Sequence, residues 1–443
     1  MSSRSTLVLL AALVAPVGCD SKQPPQPPAS DTPTTPAPPP TAAEPEPACN
    51  HLVLIDASSS SSRAYTFEIE RPDGGGLPTA VRALSIVKTE PGLASFKDEP
   101  ARAGASIAAL LAADDGPLKK VPEKCRARTA AGAMATAGMR NLESEAGGQA
   151  AADAIFAAVK KAMADAGFDA RFAGTISGQQ EALYGWITAN HLLGHLTGDG
   201  QTVGALDLGG ASTEIAFVPA DAAAATISAK FGDKTFAVYA MSYGNYGQDV
   251  ARRHLNVPPC DPKGLGKGTG KYGQCVSKLE ASVKAKSCPG ASCGLASPGD
   301  PNNVGVVQPK LPEGMKFHAT SAYHYTRKFL ELPEQTTPAA LREAAGGPKG
   351  SAGFCGLKWA DITAKFTGES QPHLETYCFS AAWIDVLLRN YGFAPTTDQI
   401  TFSETIGGSD AGWAVGAALC SVTGCLQASP AAPAPAPAAK PAT

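Results

Sequence analysis

The chain has 443 residues, a hydrophobic fraction of 44% and a formal net charge of −3. This is the profile of a globular protein with room for more than one core-bearing lobe. The near-neutral balance, with no long Lys/Arg run, excludes nucleic acid as a main partner.

The first element is the apolar stretch Leu7 to Val17, preceded by Arg4 and followed by Gly18 and Cys19. It is too short for a bilayer-spanning helix, which takes about 20 apolar residues, and has the layout of an export signal. "APVGC" resembles a bacterial lipobox, so residues 1–19 are expected to be a lipoprotein signal with Cys19 as the lipid-bearing residue. Cleavage by ordinary signal peptidase is the alternative. Residues 20–48, rich in Pro, Ala and Thr, have too few apolar side chains to offset ordering and read as an extended tether; the tail at 428–443 reads the same way. Membrane contact is therefore expected through a lipid anchor only, and the body is expected to be an extracytoplasmic monomer. Setting Cys19 aside leaves ten of the eleven cysteines, an even number in an exported chain and none in a CxxC pair, which points to as many as five disulfides rather than a zinc site.

"HLVLI" (51–55) reads as a buried strand and "AYTFEIE" (64–70), alternating apolar and polar, as a half-buried one. Between them lie Asp56 and the serine run Ser58 to Ser62. "MATAGMRNLE" (134–143) follows; Thr136 is suited to donate to a phosphate, and Arg140 either to bind one or to brace the fold. In "GTISGQQEALYGWITANHLLGHL" (174–196), Leu183, Ile187, Asn190 and Gly194 form a helical stripe beside Ala182, Trp186, Ala189 and Leu193. Ser177 and Gln180 have capping-box spacing, which puts Glu181 in the first turn, where the helix dipole favours a carboxylate fit to act as a base.

"TVGALDLGGASTEIAFVP" (202–219) repeats the first hairpin: apolar residues lead to Asp207, then a Gly-Gly-Ala-Ser-Thr loop, then alternation. Loops of small residues let backbone amides and hydroxyls close on anionic oxygens. An Asp beside each loop would repel phosphate unless a hydrated divalent cation lay between them. Two such hairpins suggest a duplicated lobe with a cleft between the copies.

These segments resemble, in order, the conserved regions of the GDA1/CD39 family of nucleoside triphosphate diphosphohydrolases, the apyrases. "DASSSSSR" resembles the first, "ATAGMR" the second, "GQQEALYGWITAN" the third and "ALDLGGASTE" the fourth, with "YCFSAAWIDVLLRNYGF" and "GSDAGWAVG" near the end and "FHATSAYHYTRKFL" before them. The resemblance implies an α/β fold of two RNase H-like lobes of the actin/Hsp70/sugar-kinase type: lobe I at 49–174, lobe II at 175–395 with a Cys-rich excursion at 258–303, and a return to lobe I at 396–427. It implies hydrolysis of the terminal phosphates of nucleoside tri- or diphosphates without a covalent intermediate. Glu181 would activate water and Ser212 position it; Asp56 and Asp207 would hold Ca²⁺ or Mg²⁺ through water. Ser59, Ser60, Gly209, Gly210, Ala211 and Thr136 would bind phosphate, Tyr391 would stack on the nucleobase, and Cys355 would pair with Cys378.

Three residues depart from the pattern. Ser58, counted with the phosphate-binding residues, replaces the loop's usual glycine and must avoid the positive φ that glycine tolerates, which alters how the loop sits. Ala182 follows the base where Gly is usual. Glu214 replaces a Gln that helps orient the attacking water, which brings a further carboxyl into the catalytic set. Exopolyphosphatases often have this Glu, so polyphosphate is an alternative substrate, and a hydrolysis-deficient nucleotide sensor is the non-enzymatic alternative.

Overall fold

The computed structural model describes residues 49–72, 78–221, 226–284, 308–348 and 353–426. The signal, the tether, Cys19, Cys288, Cys293 and the tail lie outside them.

The first sheet contains β1 (His51–Ala57), β2 (Ser62–Glu70), β3 (Ala80–Thr89), β4 (Ala130–Ala135) and β5 (Asp169–Thr175) in the order β3-β2-β1-β4-β5. The β1-β2-β3 meander is antiparallel, and β4 and β5 are parallel to β1. The second sheet contains β6 (Gly204–Leu208), β7 (Ser212–Phe217), β8 (Ile227–Phe231), β9 (Lys234–Gly244), β10 (Phe317–Ser321) and β11 (Ile400–Phe402) in the order β11-β10-β6-β7-β9-β8. Apart from the edge strand β8, it repeats the first: β6, β7 and β9 form an antiparallel meander, and β10 and β11 add in parallel. The duplication suggested by the two hairpins is thus present in the topology, and the fold is the expected α/β class.

Two helices, Gly178–Leu192 and Trp413–Thr423, share one core with residues of both sheets, among them Leu54 and Phe67 of the first and Ala216 and Val238 of the second. A Cβ at Gly416 would lie 2.1 Å from the Tyr184 carbonyl oxygen, so glycine lets the two helix backbones meet. Thr188 Oγ donates to the Gly412 carbonyl at 2.9 Å and accepts from the Gly416 amide at 2.8 Å, which fixes the register of the crossing. The outer faces have their own cores: helices Pro100–Ala112 and Gly148–Asp165 cover the first sheet, and helix Gln371–Asn390 packs in the core of the second.

One boundary differs from expectation. Ile400 pairs with Phe317, so the chain remains in the second sheet through Phe402, and the return is made by the helix Trp413–Thr423, which touches β1, β2 and β3. A three-residue strand carries too little periodicity to be seen in sequence.

Among the described residues, four disulfides join Cys49 to Cys125, Cys260 to Cys275, Cys355 to Cys378 and Cys420 to Cys425. The Cys355–Cys378 pair is the one the resemblance implied.

Candidate active site

The first wall of the site grows from the end of β1. Asp56 is buried, accepts a hydrogen bond from Ser58 Oγ at 2.7 Å and faces Arg63 Nη1 at 3.5 Å. Burial lifts its pKa to about 6, with Arg63 the strongest opposing influence and Asp207 among those adding to it. Ser58 is not among the residues with positive φ, so the loop takes serine there without strain. The loop is pressed from two sides: a Cβ at Gly92 would lie 2.4 Å from the Ser59 carbonyl oxygen, and one at Gly138 would lie 2.8 Å from Ser59 Cα. The Thr136 amide donates to the Ala57 carbonyl at 3.3 Å, bringing Thr136 beside the same loop at the start of the helix Ala137–Ser144.

The second wall grows from β6. Thr213 Oγ donates to the Asp207 carbonyl at 2.7 Å, closing the hairpin around Gly209, Gly210 and Ala211. The carbonyls of these three residues accept from the amides of Gln248 at 2.8 Å, Asp249 at 2.9 Å and Asn245 at 2.8 Å. Each trans peptide points its N–H opposite to its C=O, so the amides of Gly210, Ala211 and Ser212 are turned away from that segment. This is the arrangement in which a small-residue loop receives an anion.

Glu181 lies between the walls. Ser177 and Gln180 form the expected capping box, with Oγ accepting from the Gln180 amide at 3.1 Å and the Gln180 side chain accepting from the Ser177 amide at 2.9 Å. Arg140 resolves to a brace: Nη2 donates to Glu181 Oε2 at 2.9 Å and Nη1 to the Ile176 carbonyl at 3.0 Å. The dipole was expected to keep Glu181 ionised, yet burial dominates and lifts its pKa to about 7, against the charge and hydrogen bond of Arg140 and reinforced by Asp207 and Asp56. A carboxyl at that value is half ionised near neutrality, which suits a base that must take a proton and release it.

These residues line one cavity of about 80 Å³ with Asp56, Ser58, Ser59, Ser60, Thr136, Asp207, Gly209, Gly210, Ala211 and Ser212 on its walls. Glu214 lies just behind it. It is buried, stands opposite Asp207 in the β6–β7 register and accepts from Ser242 Oγ at 2.7 Å. Burial holds its carboxyl well above the ordinary range, and the charges of Glu181 and Asp207 add to this.

Tyr391 is the site residue that the structure corrects. Its side chain has no exposed surface, its hydroxyl lies 3.1 Å from Thr213 Oγ, and its ring packs 5.9 Å from that of Tyr243. A ring enclosed on all sides offers no face to a nucleobase. Cys19, the expected lipid site, lies outside the described residues.

Several lining residues were not singled out from sequence: Arg63, Tyr65, Thr320, Ser321, Glu404, Asp410 and Trp413. Arg63 ends the serine motif and Asp410 and Trp413 belong to "GSDAGW", so the motifs held the signal. Ser321 carries an unusual backbone, with φ 58° and ψ −128°, and its side chain bonds Asp207.

Five carboxylates and one guanidinium, that of Arg63, line the cavity. A polyphosphate anion would meet net repulsion there unless a cation entered with it. Among the described residues no cluster of three His, Cys, Asp or Glu could ligate an ion directly. The charge of Asp207 adds to the raised pKa of Asp56, and Asp207 Oδ1 is buried without a partner. Two facing carboxylates with one orphaned oxygen fit a hydrated divalent cation.

The GDA1/CD39 (nucleoside phosphatase) family pattern matches residues 45–259 and 262–430. Probable apyrase 3 of Arabidopsis thaliana is 30% identical over 417 residues, covering 84% of this chain and 82% of that protein. Ectonucleoside triphosphate diphosphohydrolase 8 of Bos taurus is 30% identical over 422 residues, covering 82% of this chain and 81% of its own length. A solved structure of nucleoside triphosphate hydrolases from Neospora caninum has the same fold, with a TM-score of 0.57 at 16% identity, over 84% of this chain and 92% of that one. With the pattern matched along nearly the whole described body, the chain belongs to the GDA1/CD39 (nucleoside phosphatase) family.

Proposed function

We propose that the protein hydrolyses the terminal phosphate of nucleoside tri- and diphosphates by direct attack of water. The observation that carries this reading is Glu181: a buried carboxyl at about 7, braced by Arg140, set between two small-residue loops in an acid-lined cavity.

Glu181 takes a proton from water as the water oxygen attacks the terminal phosphorus in line. Ser212, which lines the same cavity, holds that water. The amides of Gly210 and Ala211, with Ser58, Ser59, Ser60 and Thr136, meet the phosphate oxygens as charge grows on them. Asp56 and Asp207 are the residues that would hold Ca²⁺ or Mg²⁺ through water; a bound ion would supply positive charge for the phosphate oxygens. Glu214, held by Ser242, keeps its proton and stands behind Glu181, on the side of the base away from the phosphate loops.

The relatives sharing 30% identity over most of both chains are named for apyrase and nucleoside triphosphate activity, which favours nucleotides over polyphosphate. Four disulfides fit an oxidising compartment, and no helix among the described residues is long and apolar enough to cross a membrane. Attachment through lipid on Cys19 agrees with both, and the protein works as an extracytoplasmic monomer.

The test is phosphate release by purified, disulfide-intact protein from ATP, ADP, GTP, UDP and polyphosphate, with Mg²⁺, Ca²⁺ or chelator. Cation-dependent release from nucleotides is expected. Release from polyphosphate alone, or none from folded protein, would contradict the reading.

A further inference from the structure

A second, smaller cavity lies behind Glu181, with about 10 Å³ open to the centre of a water molecule. Its floor is three adjacent strands. On β10, His318 and Thr320 alternate to one face; they sit beside Ala205 and Asp207 of β6, and Glu214 of β7 stands opposite Asp207. Its roof is the helix that carries Glu181, through Ala182, Gly185 and Ala189. Gly185 contributes space: a Cβ there would have no heavy atom within 4 Å.

Besides Asp207 Oδ1, which belongs to the acid pair of the front cavity, two buried polar atoms of this cavity's lining residues lack a hydrogen-bond partner: Glu214 Oε2 and His318 Nε2. Buried polar atoms are almost always paired, and a group of orphans around one small void is the signature of an internal water. One water needs roughly 10–15 Å³ by this measure and two to four polar partners. The His318 ring also bonds the Ser403 backbone, and burial, its largest influence, brings its pKa down to about 4. The ring is therefore neutral, with its one N–H committed and Nε2 presenting a lone pair.

We propose that this cavity holds one ordered water that links Glu181 to Glu214 and His318, and that His318 is a positioning residue for the base. The proposal rests on the reading of Glu181 given above. This is not the attacking water: none of Ser58, Ser59, Ser60, Thr136 or Ser212 lines the rear cavity, so a molecule there cannot reach a phosphate held by those loops. The water accepts from the protonated Oε2 of Glu214, donates one hydrogen to His318 Nε2 and the other to Glu181 while that carboxyl is ionised, and turns to accept from Glu181 once it carries the proton taken in catalysis. Arg140 fixes Oε2 of the base, and the water fixes the side of the carboxyl that faces away from the substrate.

Two measurements test this separately. A crystal structure of the unliganded wild-type protein, at a resolution that shows ordered solvent, is expected to place a water within hydrogen-bond reach of His318 Nε2 and Glu214 Oε2; an empty or collapsed cavity overturns the proposal whether or not the enzyme is active. In kinetics, His318→Leu and Gly185→Val, which close the cavity from opposite walls, are each expected to lower kcat about tenfold with KM unchanged, the scale of a misplaced catalytic group. His318→Gln, whose amide reaches the same water, is expected to recover most of the loss. Full activity in a cavity-filling variant, or equal loss in the Gln and Leu variants, overturns it. A wild-type protein that releases no phosphate refutes the proposed function instead and leaves the crystallographic result to judge the water.

Discussion

At matching places in the two sheets, β1 sets Asp56 opposite Arg63, and β6 sets Asp207 opposite Glu214. The topology is repeated but the charge is not. Asp56 has a guanidinium within 3.5 Å and a serine hydroxyl at 2.7 Å. Asp207 faces a second buried carboxyl and keeps an oxygen without a partner. The first loop brings hydroxyls to the cleft, and the second brings backbone amides from residues whose side chains are too small to interfere. The duplicated lobes thus differ in charge: in the first the buried carboxyl faces a guanidinium, and in the second two buried carboxyls face one another.

The largest expected effect separates the two aspartates. Asp207→Asn should lower cation-dependent turnover by about a hundredfold, the scale of losing one electrostatic contact made in the transition state. Asp56→Asn should lower it less, because Arg63 remains to serve the anion. Titrating each variant with Mg²⁺ and measuring kcat checks this, and equal losses would break the asymmetry.

Arg63→Ala should turn the first half into a copy of the second. Leaving buried Asp56 without its partner should cost about 1–3 kcal/mol at pH 7, read from denaturant unfolding.

Glu214→Gln sharpens the comparison from the other side. A carboxyl whose pKa is raised by folding contributes stability that is full below its unfolded value, near 4.3, and is lost as pH rises through the folded value. In chelator, the wild-type midpoint should therefore fall as pH rises from about 5 to 8, and Glu214→Gln should fall less steeply because one such group is gone. Identical slopes would place the proton elsewhere.

The smallest effect concerns Tyr391→Phe, which removes only the contact with Thr213 Oγ. Stability should drop by about 0.5–1.5 kcal/mol with KM unchanged. A large rise in KM would restore the base-stacking role that its burial argues against.

The parts of this site legible in sequence are those set by local chemistry. Ser177 and Gln180 announce the helix start that fixes Glu181, and the Asp-plus-small-loop hairpins announce both walls. What sequence could not supply was orientation and pairing across distance. "NYGF" places Tyr391 near the second lobe, but only the packing of the 371–390 helix decides that its ring points into the core. The contrast between Arg63 and Glu214 needs the strand register, and the orphaned Nε2 of His318 needs three strands assembled under a helix. The raised pKa of Glu181 has the same origin: the dipole that favours its carboxylate is local, whereas the burial that outweighs it comes from both lobes.

The most direct test of the account is the pH dependence of kcat for ATP hydrolysis in the wild type and in Glu181→Gln, with Mg²⁺ saturating and folding checked by circular dichroism. The account predicts wild-type activity that falls as pH drops below about 7, where Glu181 becomes protonated, and a Gln variant slowed at least about a hundredfold with that dependence gone. A folded Gln variant that keeps the wild-type rate and profile would show that Glu181 is not the base.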